Sequence, residues 1–498
     1  MSKIEFIEYY SKNLNLPEEE FKRFIEVLET PLPHSFRIIN TPFYEKVKMH
    51  IDSMPSVKRI DYIKDTYFID KSVEESDKNK NFIINQTLLG TIQRQEIVSM
   101  IPILLMGLKE KHYVLDLCAA PGSKTKQILN IVGKEGLIVA NDASSKRINI
   151  LMTETFKIPH ESFLVTQHDA SKFPSIKMTE DRKFDRVLCD VPCSSDGTIR
   201  KNPCLLTEWN AKKAQGLFDL QYRILKRSID LVEDDGIIIY STCSLNPLEN
   251  ECVVQNIVLN ENLEIVDPFT YIDNDVVSKD FFIKRGLKKW DVGEFKHKSL
   301  SVSPTTKEIH LDRCLRIYPH DFNTGGFFIT LLRKKNKNTV EYKKTTPKPL
   351  FKDVSQEESY KILENYELNK NINLVRRYKA NNIIYRVSEE VKHIIHNNRL
   401  KIVYFGYKFF EKCNINETGF RVKNILYEKD IKIDLEVELD SIKPALESKT
   451  LEMDFPKKSV IIKITDLGVC ISGYSTGKKI MLYVCNNLQK ALLDFTTQ

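Results

Sequence analysis

Tyr113-Val-Leu-Asp-Leu-Cys-Ala-Ala-Pro-Gly-Ser-Lys-Thr125 runs from a strand-like apolar stretch into a turn of small residues and on into helical spacing. The chain holds only 17 glycines in 498 residues, so one placed where a strand meets a helix is informative. Ala119, Ala120 and Gly122 let the backbone approach a ligand closely. The helix predicted over Lys124–Val132 offers unpaired N–H groups suited to a carboxylate or phosphate. Working outward, short apolar runs at Leu137–Asn141, Ser162–Thr166, Phe184–Asp190 and Ile237–Thr242 alternate with helical windows at Ser144–Phe156 and Thr207–Val232. That alternation predicts an α/β fold built on a doubly wound, mostly parallel sheet. Upstream, Thr91–Leu108 reads as one amphipathic helix; downstream of about Leu350, segments such as Lys401–Phe410 and Ser459–Ile464 read as strands of a second, smaller α+β module.

Asp142 closes the second strand twenty residues beyond Gly122, where an acid accepts hydrogen bonds from ribose hydroxyls. The turn is not G-x-G-x-x-G, which favours a smaller adenosine-containing cofactor over a dinucleotide. His168-Asp169-Ala170 follows the third strand; Asp169 can meet an adenine amino group or serve only as a turn residue.

The fourth strand ends in Cys189-Asp-Val-Pro-Cys-Ser-Ser-Asp-Gly-Thr198 and the fifth in Tyr240-Ser-Thr-Cys-Ser-Leu-Asn-Pro-Leu-Glu-Asn-Glu251. Adjacent parallel strands deliver their C-terminal loops to one crevice, so Cys193, Cys243 and Asp190 are expected to face one substrate. A free thiol is only a few per cent ionised at neutral pH, so a nucleophilic cysteine needs local activation. Asn246 reads as an N-cap with Pro247 at the first helical position and Glu249 closing a capping box, which sets Cys243 just before a helix N-terminus. The Cys189 and Cys193 spacing is not C-x-x-C and lacks a matched second half, so no metal site is expected.

Composition bounds the alternatives. Hydrophobic residues make up 42% and aromatics 10%, enough for real cores, and the longest mainly apolar stretch, Ile97–Leu108, is too short and interrupted to span a membrane. The N-terminus has neither a secretory nor a transit pattern, and ten scattered cysteines read as free thiols. The expected location is the nucleus, nucleolus included, with the cytoplasm second, and the expected state is monomeric. Lys and Arg number 75 against 68 Asp and Glu, a formal +7; Arg333–Lys348 holds seven basic residues and one acid, a local +6 that marks a linker or a phosphate-contacting segment. Arg37, Arg200 and Lys201 are further phosphate candidates. The Tyr404–Phe410 aromatic run fits a packed strand better than a base-stacking platform.

These motifs resemble the NOL1/NOP2/Sun family of S-adenosylmethionine-dependent RNA cytosine-C5 methyltransferases, most closely its eukaryotic tRNA branch (Trm4/NSUN2 type). The matching elements are Pro31-Leu-Pro-His-Ser-Phe-Arg37, Gln95-Glu-Ile-Val-Ser-Met-Ile-Pro102, the loop from Asp116, Asn141-Asp142, His168-Asp-Ala170, the runs from Asp190 and Tyr240, and Arg316-Ile-Tyr-Pro-His-Asp-Phe-Asn-Thr-Gly-Gly-Phe-Phe328. The resemblance implies a class I methyltransferase (Rossmann-like) sheet. It implies an N-terminal RNA-contacting extension over 1–110, a catalytic domain over 111–335, a basic linker over 336–355 and a PUA-like RNA-binding domain over 356–498. It places S-adenosyl-L-methionine along Cys118, Ala119, Ala120, Pro121, Gly122, Ser123 and Lys124, with Asp142 and Asp169 on ribose and base and Asp190 lining the site beside the cytosine. It makes Cys243 the nucleophile and Cys193 the thiol that assists product release. Ser195 and Phe322 depart from the family pattern, which usually has glycine and glutamine there. The implied substrate is tRNA. The same chemistry on rRNA or mRNA, and a non-catalytic RNA-binding assembly factor, are the alternatives.

Overall fold

The computed structural model describes residues 2–70, 72–156, 158–261, 263–282, 284–334, 351–366, 368, 372–377, 380–413, 419–423 and 431–495. Its centre is a sheet whose hydrogen-bonded order runs Ile402–Phe405, Phe163–Thr166, Leu137–Asn141, Tyr113–Asp116, Phe184–Asp190, Val232–Thr242, Phe327–Lys334, Leu315–Ile317 and Lys284–Arg285. The five strands from Phe163–Thr166 to Val232–Thr242 pair in parallel and Phe327–Lys334 runs antiparallel. Every residue of Tyr113–Asp116, Leu137–Asn141 and Phe163–Thr166 is buried, as in a sheet covered by helices on both faces. Ser144 caps the helix Ser145–Thr155 through the Arg147 N–H, and Asn210 caps Ala211–Leu231 through the Lys213 N–H. The latter buries Ala214, Phe218, Gln221, Tyr222 and Leu225, a stripe at helical spacing laid on the sheet.

Two expected elements come out differently. Thr91–Leu108 divides into a strand, Ile92–Arg94, and a helix, Ile97–Leu104, because Ile92–Arg94 finds an antiparallel partner in Phe36–Ile38. The Lys401–Phe410 run is two strands. Gly406 turns the chain at φ +52, where an added Cβ would lie 2.2 Å from the Arg386 carbonyl oxygen. Before it, Ile402–Phe405 extends the catalytic sheet against Phe163–Thr166; after it, Tyr407–Lys412 joins a separate sheet with Ala380–Val387 and Phe420–Val422. Phe405, Phe409 and Phe410 are fully buried, so this aromatic run is packing.

The N-terminal segment forms a four-stranded antiparallel sheet (Val57–Arg59, Thr66–Ile69, His34–Ile38, Ile92–Arg94), and the last sheet orders Leu435–Val437, Ser459–Ile464, Val469–Ser475, Lys479–Leu482 and Thr450–Glu452. Segments hundreds of residues apart share one core here: Phe36, Phe43, Tyr67, Phe82 and Ile92 pack with Leu439, Val460, Ile462, Ile471 and Leu492. Of the basic run, Arg333 and Lys334 belong to the sheet and pair with Glu264 and Asp234. The rest, 335–348, and most of the expected linker, lie outside the described residues. Among the described residues no helix is long and apolar enough to cross a membrane.

Candidate active site

Asp190 ends the fourth strand opposite Ser241 of the fifth, and the loops that follow carry the two cysteines. Their Sγ atoms lie 3.2 Å apart, both half-buried free thiols. The close approach is built from backbone: the Gly197 N–H donates to the Cys243 carbonyl at 2.9 Å and the Gly326 N–H to the Gly197 carbonyl at 2.7 Å. A Cβ on Gly197 would fall 2.5 Å from the Gly326 oxygen and 2.7 Å from the Cys243 oxygen, which leaves room only for glycine. The hydrogen bond to Cys243, and then burial, push the Cys193 thiol well above its ordinary range. Either sulfur can donate across this contact.

The helix expected to begin at Pro247 begins at Glu251, after a turn that occupies Pro247–Asn250. Asn250 does not cap it. Its amide is drawn into the turn, accepting from Thr242 Oγ1 at 2.6 Å and donating to the Ser244 carbonyl at 2.8 Å. Asn246 likewise accepts from the Leu248 N–H in a local turn. The macrodipole is thus farther from Cys243 than the sequence implied, and hydrogen bonds organise the sulfur instead.

Glu249, expected in a capping box, joins the two cysteine loops. It accepts from the Ser194 N–H at 2.8 Å, Ser194 Oγ at 2.5 Å, Ser244 Oγ at 2.6 Å and Gln221 Nε2 at 2.9 Å. Burial, with the neighbouring Asp196 carboxylate, pushes it up to about 7 against those donors. Asp116, beneath the first loop, is also pushed up to about 7 by burial; Thr125 Oγ1 donates to its Oδ2 at 2.8 Å, while its buried Oδ1 has no hydrogen-bond partner among the described residues. An acid whose folded pKa is raised contributes stability in full below its unfolded value, and loses that contribution as pH rises through the folded one. Glu249→Gln is therefore expected to remove a loss of stability that develops between about pH 5 and 7, read by calorimetry as the difference in melting temperature between variant and parent across that range.

The N-terminal helix Ser2–Asn13 braces the same turns. The Tyr10 hydroxyl donates to Asp196, which also accepts the Leu245 N–H at 2.7 Å, and the Tyr9 hydroxyl donates to Asn246 Oδ1 at 2.9 Å. Beneath them Arg316 and Glu251, both fully buried, form a two-pronged ion pair, and Arg316 Nη1 donates to the Leu245 carbonyl at 2.8 Å. Neither tyrosine carried a signal in the sequence, and Glu251 and Arg316 were visible only as members of motifs.

Lys124 is no solvated surface lysine. It is 7% exposed, donates to Asp190 Oδ2 at 2.7 Å and Ser99 Oγ at 2.9 Å, and lies 5.2 Å from the centre of the Phe327 ring; Ser241 Oγ completes Asp190 from the other oxygen at 2.8 Å. Along the loop from Cys118 to Lys124, the Ala119 N–H donates to the Asn141 carbonyl and Asp142 accepts from the Ala120 and Ser144 N–H groups. Gly122 turns into the helix Ser123–Leu129 at φ +111, where a Cβ would meet Leu151 at 2.9 Å. The small-residue cradle and the acid below it fit an adenosine-bearing cofactor. Asp169 is exposed and accepts the Ser171 N–H and hydroxyl in a turn, at the same rim. Two phosphate candidates are otherwise engaged: Arg37 bonds Gln93 and Gln95, and buried Arg200 donates to Thr30, Pro31, Asn323 and Thr324. Lys201 stays exposed, sharing with Arg94 a cleft of about 480 Å³ walled by Pro31–Phe36 and Glu96.

Residues 103–333 match the family described as 16S rRNA methyltransferase RsmB/F, and residues 344–424 match the NSUN2 Pre-PUA domain. The multisite-specific tRNA:(cytosine-C(5))-methyltransferase of Saccharomyces cerevisiae is 31% identical over 81% of this chain and 72% of its own length. The protein of that name, trm4b, from Schizosaccharomyces pombe is 34% identical over 68% of this chain and 61% of its own length. A methyltransferase homologue from Pyrococcus horikoshii, 23% identical, shares the fold with a TM-score of 0.51, covering 67% of this chain and 98% of that one. The chain spans between three fifths and three quarters of the two yeast proteins. It belongs to the NOL1/NOP2/Sun (RsmB/F) family of S-adenosylmethionine-dependent RNA cytosine-C5 methyltransferases.

Proposed function

We propose that the chain methylates carbon 5 of cytosine in tRNA. The observation that carries this reading is the 3.2 Å approach of two thiols on adjacent strand ends beside the Lys124–Asp190 pair. S-adenosylmethionine, when bound against Cys118–Lys124 and Asp142, supplies the methyl group. The chain's residues supply the activation that a poorly nucleophilic carbon 5 requires. A target base lifted from its stack meets Cys243 Sγ at carbon 6, and addition there makes carbon 5 enamine-like. Negative charge develops on the pyrimidine, and the Lys124–Asp190 pair supplies the hydrogen bond and positive charge that stabilise it. The attacking sulfur is then a neutral thioether. Cys193, its own proton passed to solvent, takes the carbon 5 proton, and the electrons of that C–H bond re-form the ring double bond as Cys243 leaves as thiolate.

The eukaryotic relatives, named as tRNA enzymes and aligned across most of the chain, support tRNA over rRNA or mRNA. Methyl transfer from labelled cofactor to unmodified tRNA, rRNA and DNA, mapped by bisulfite sequencing, tests it. Transfer to tRNA is the expected result; none, with adduct formation on another RNA, overturns it. Among the described residues Arg94 and Lys201 are the cleft cations that make no side-chain hydrogen bond or ion pair, Lys201 facing only the buried Glu96 carboxylate, so Arg94→Ala/Lys201→Ala is expected to weaken RNA binding. The slope of log K against log salt should fall by about 1.4 for two lost phosphate contacts.

A further inference from the structure

Ser195 lies on the loop between the two sulfurs at φ +64, a left-handed conformation that costs a serine energy and a glycine none. Its Oγ lies 3.6 Å from Cys243 Sγ, 3.9 Å from Cys193 Sγ and 3.3 Å from the Cys193 carbonyl oxygen. The Cys243 thiol is oriented to donate to that hydroxyl, and the hydroxyl to donate to the Cys193 carbonyl. We propose that Ser195 is a positioning residue for the attacking sulfur: it accepts the Cys243 hydrogen in the resting enzyme and, once that proton has left to solvent, turns its own O–H onto the thiolate.

The hydroxyl suits this because it is both donor and acceptor and its hydrogen rotates freely. A Cys243 thiolate can only accept, so the Cys193 thiol 3.2 Å away then donates to it, and a second donor lowers the free energy of the anion further. The other ionisable groups around this turn are Glu249 and Asp196 on the cysteine loops, the Lys124–Asp190 pair from the first helix and fourth strand, and the Arg316–Glu251 pair beneath Leu245. Each is held by its own hydrogen bonds, whereas the hydroxyl of Ser195 is shared between Cys193 and Cys243. The proposal rests on Cys243 being the attacking sulfur.

Ser195→Gly and Ser195→Ala separate chemistry from folding. Both remove the hydroxyl, but glycine relieves the left-handed backbone and alanine does not. The expected result is a Ser195→Gly protein that melts no lower than the parent. In both variants, Cys243 should alkylate about tenfold more slowly with iodoacetamide at pH 7, as read by peptide mass spectrometry, with the alkylation profile displaced upward in pH. The acid limb of kcat/KM for RNA should move by the same amount, with KM for the cofactor unchanged. A parental profile in Ser195→Gly overturns the proposal, as does slowing in Ser195→Ala alone, which would make the backbone the cause. Alkylation needs neither RNA nor cofactor, so it decides the role of Ser195 even if the RNA substrate proves to be another; labelling of Cys193 in place of Cys243 would overturn the nucleophile assignment itself.

Discussion

Cys243→Ala is expected to form no covalent RNA adduct and to lose methyl transfer by on the order of 10⁴-fold or more, the scale on which removing an attacking atom acts. Cys193→Ala should behave in the opposite sense: addition and methyl transfer proceed, the carbon 5 proton has no acceptor, and a methylated adduct persists on a denaturing gel. The asymmetry follows from the roles proposed for the two thiols, whose Sγ atoms lie 3.2 Å apart. Without Cys193 the attacking sulfur also loses a hydrogen-bonding neighbour, so adduct formation should slow modestly while adduct breakdown nearly stops. Adduct in Cys243→Ala and none in Cys193→Ala would reverse the two roles.

Arg316→Met is expected to destabilise the protein by about 3–5 kcal/mol, because it leaves Glu251 charged and dry. Both side chains are fully buried, and Glu251 also accepts the Leu287 N–H at 2.9 Å. At roughly 2–4 °C per kcal/mol for a body this size, the melting temperature should fall by about 10 °C. Replacing both, Arg316→Met with Glu251→Leu, should recover much of that loss, since a well-packed apolar pair avoids the desolvation of two charges. A double-mutant cycle by calorimetry checks this; additive losses would mean that the two residues act independently. Activity should not recover with stability, because Arg316 also holds the Leu245 carbonyl, two residues beyond the attacking cysteine.

Much of this was written in the sequence. Apolar runs alternating with helical windows marked the five parallel strands, since strands covered on both faces are largely apolar. The cysteine pair followed from topology alone, because neighbouring parallel strands open onto one crevice. What was not legible was long-range pairing. Ile92–Arg94 carries helical spacing yet becomes a strand because Phe36–Ile38 lies ready beside it. Glu249 sits three residues after Asn246, the spacing of a capping box, but tertiary partners from the fourth-strand loop and the helix Ala211–Leu231 take its carboxylate. Arg37 and Arg200 looked like phosphate contacts because sequence shows a charge and hides its partners. Gly406 stood in plain view, but only the approach of the Arg386 backbone shows that it divides one aromatic run between two sheets.

The strand Ile402–Phe405 has a practical consequence for anyone cutting the gene. It covers the main-chain donors and acceptors of Phe163–Thr166, and the Gln167 N–H continues the seam to the Lys401 carbonyl. A fragment stopped near residue 335 would keep the paired thiols but expose a raw, largely apolar margin that other copies can zip onto. Such a fragment should come out of cells as aggregate, and one carried through Phe405 and the sheet beyond it should not.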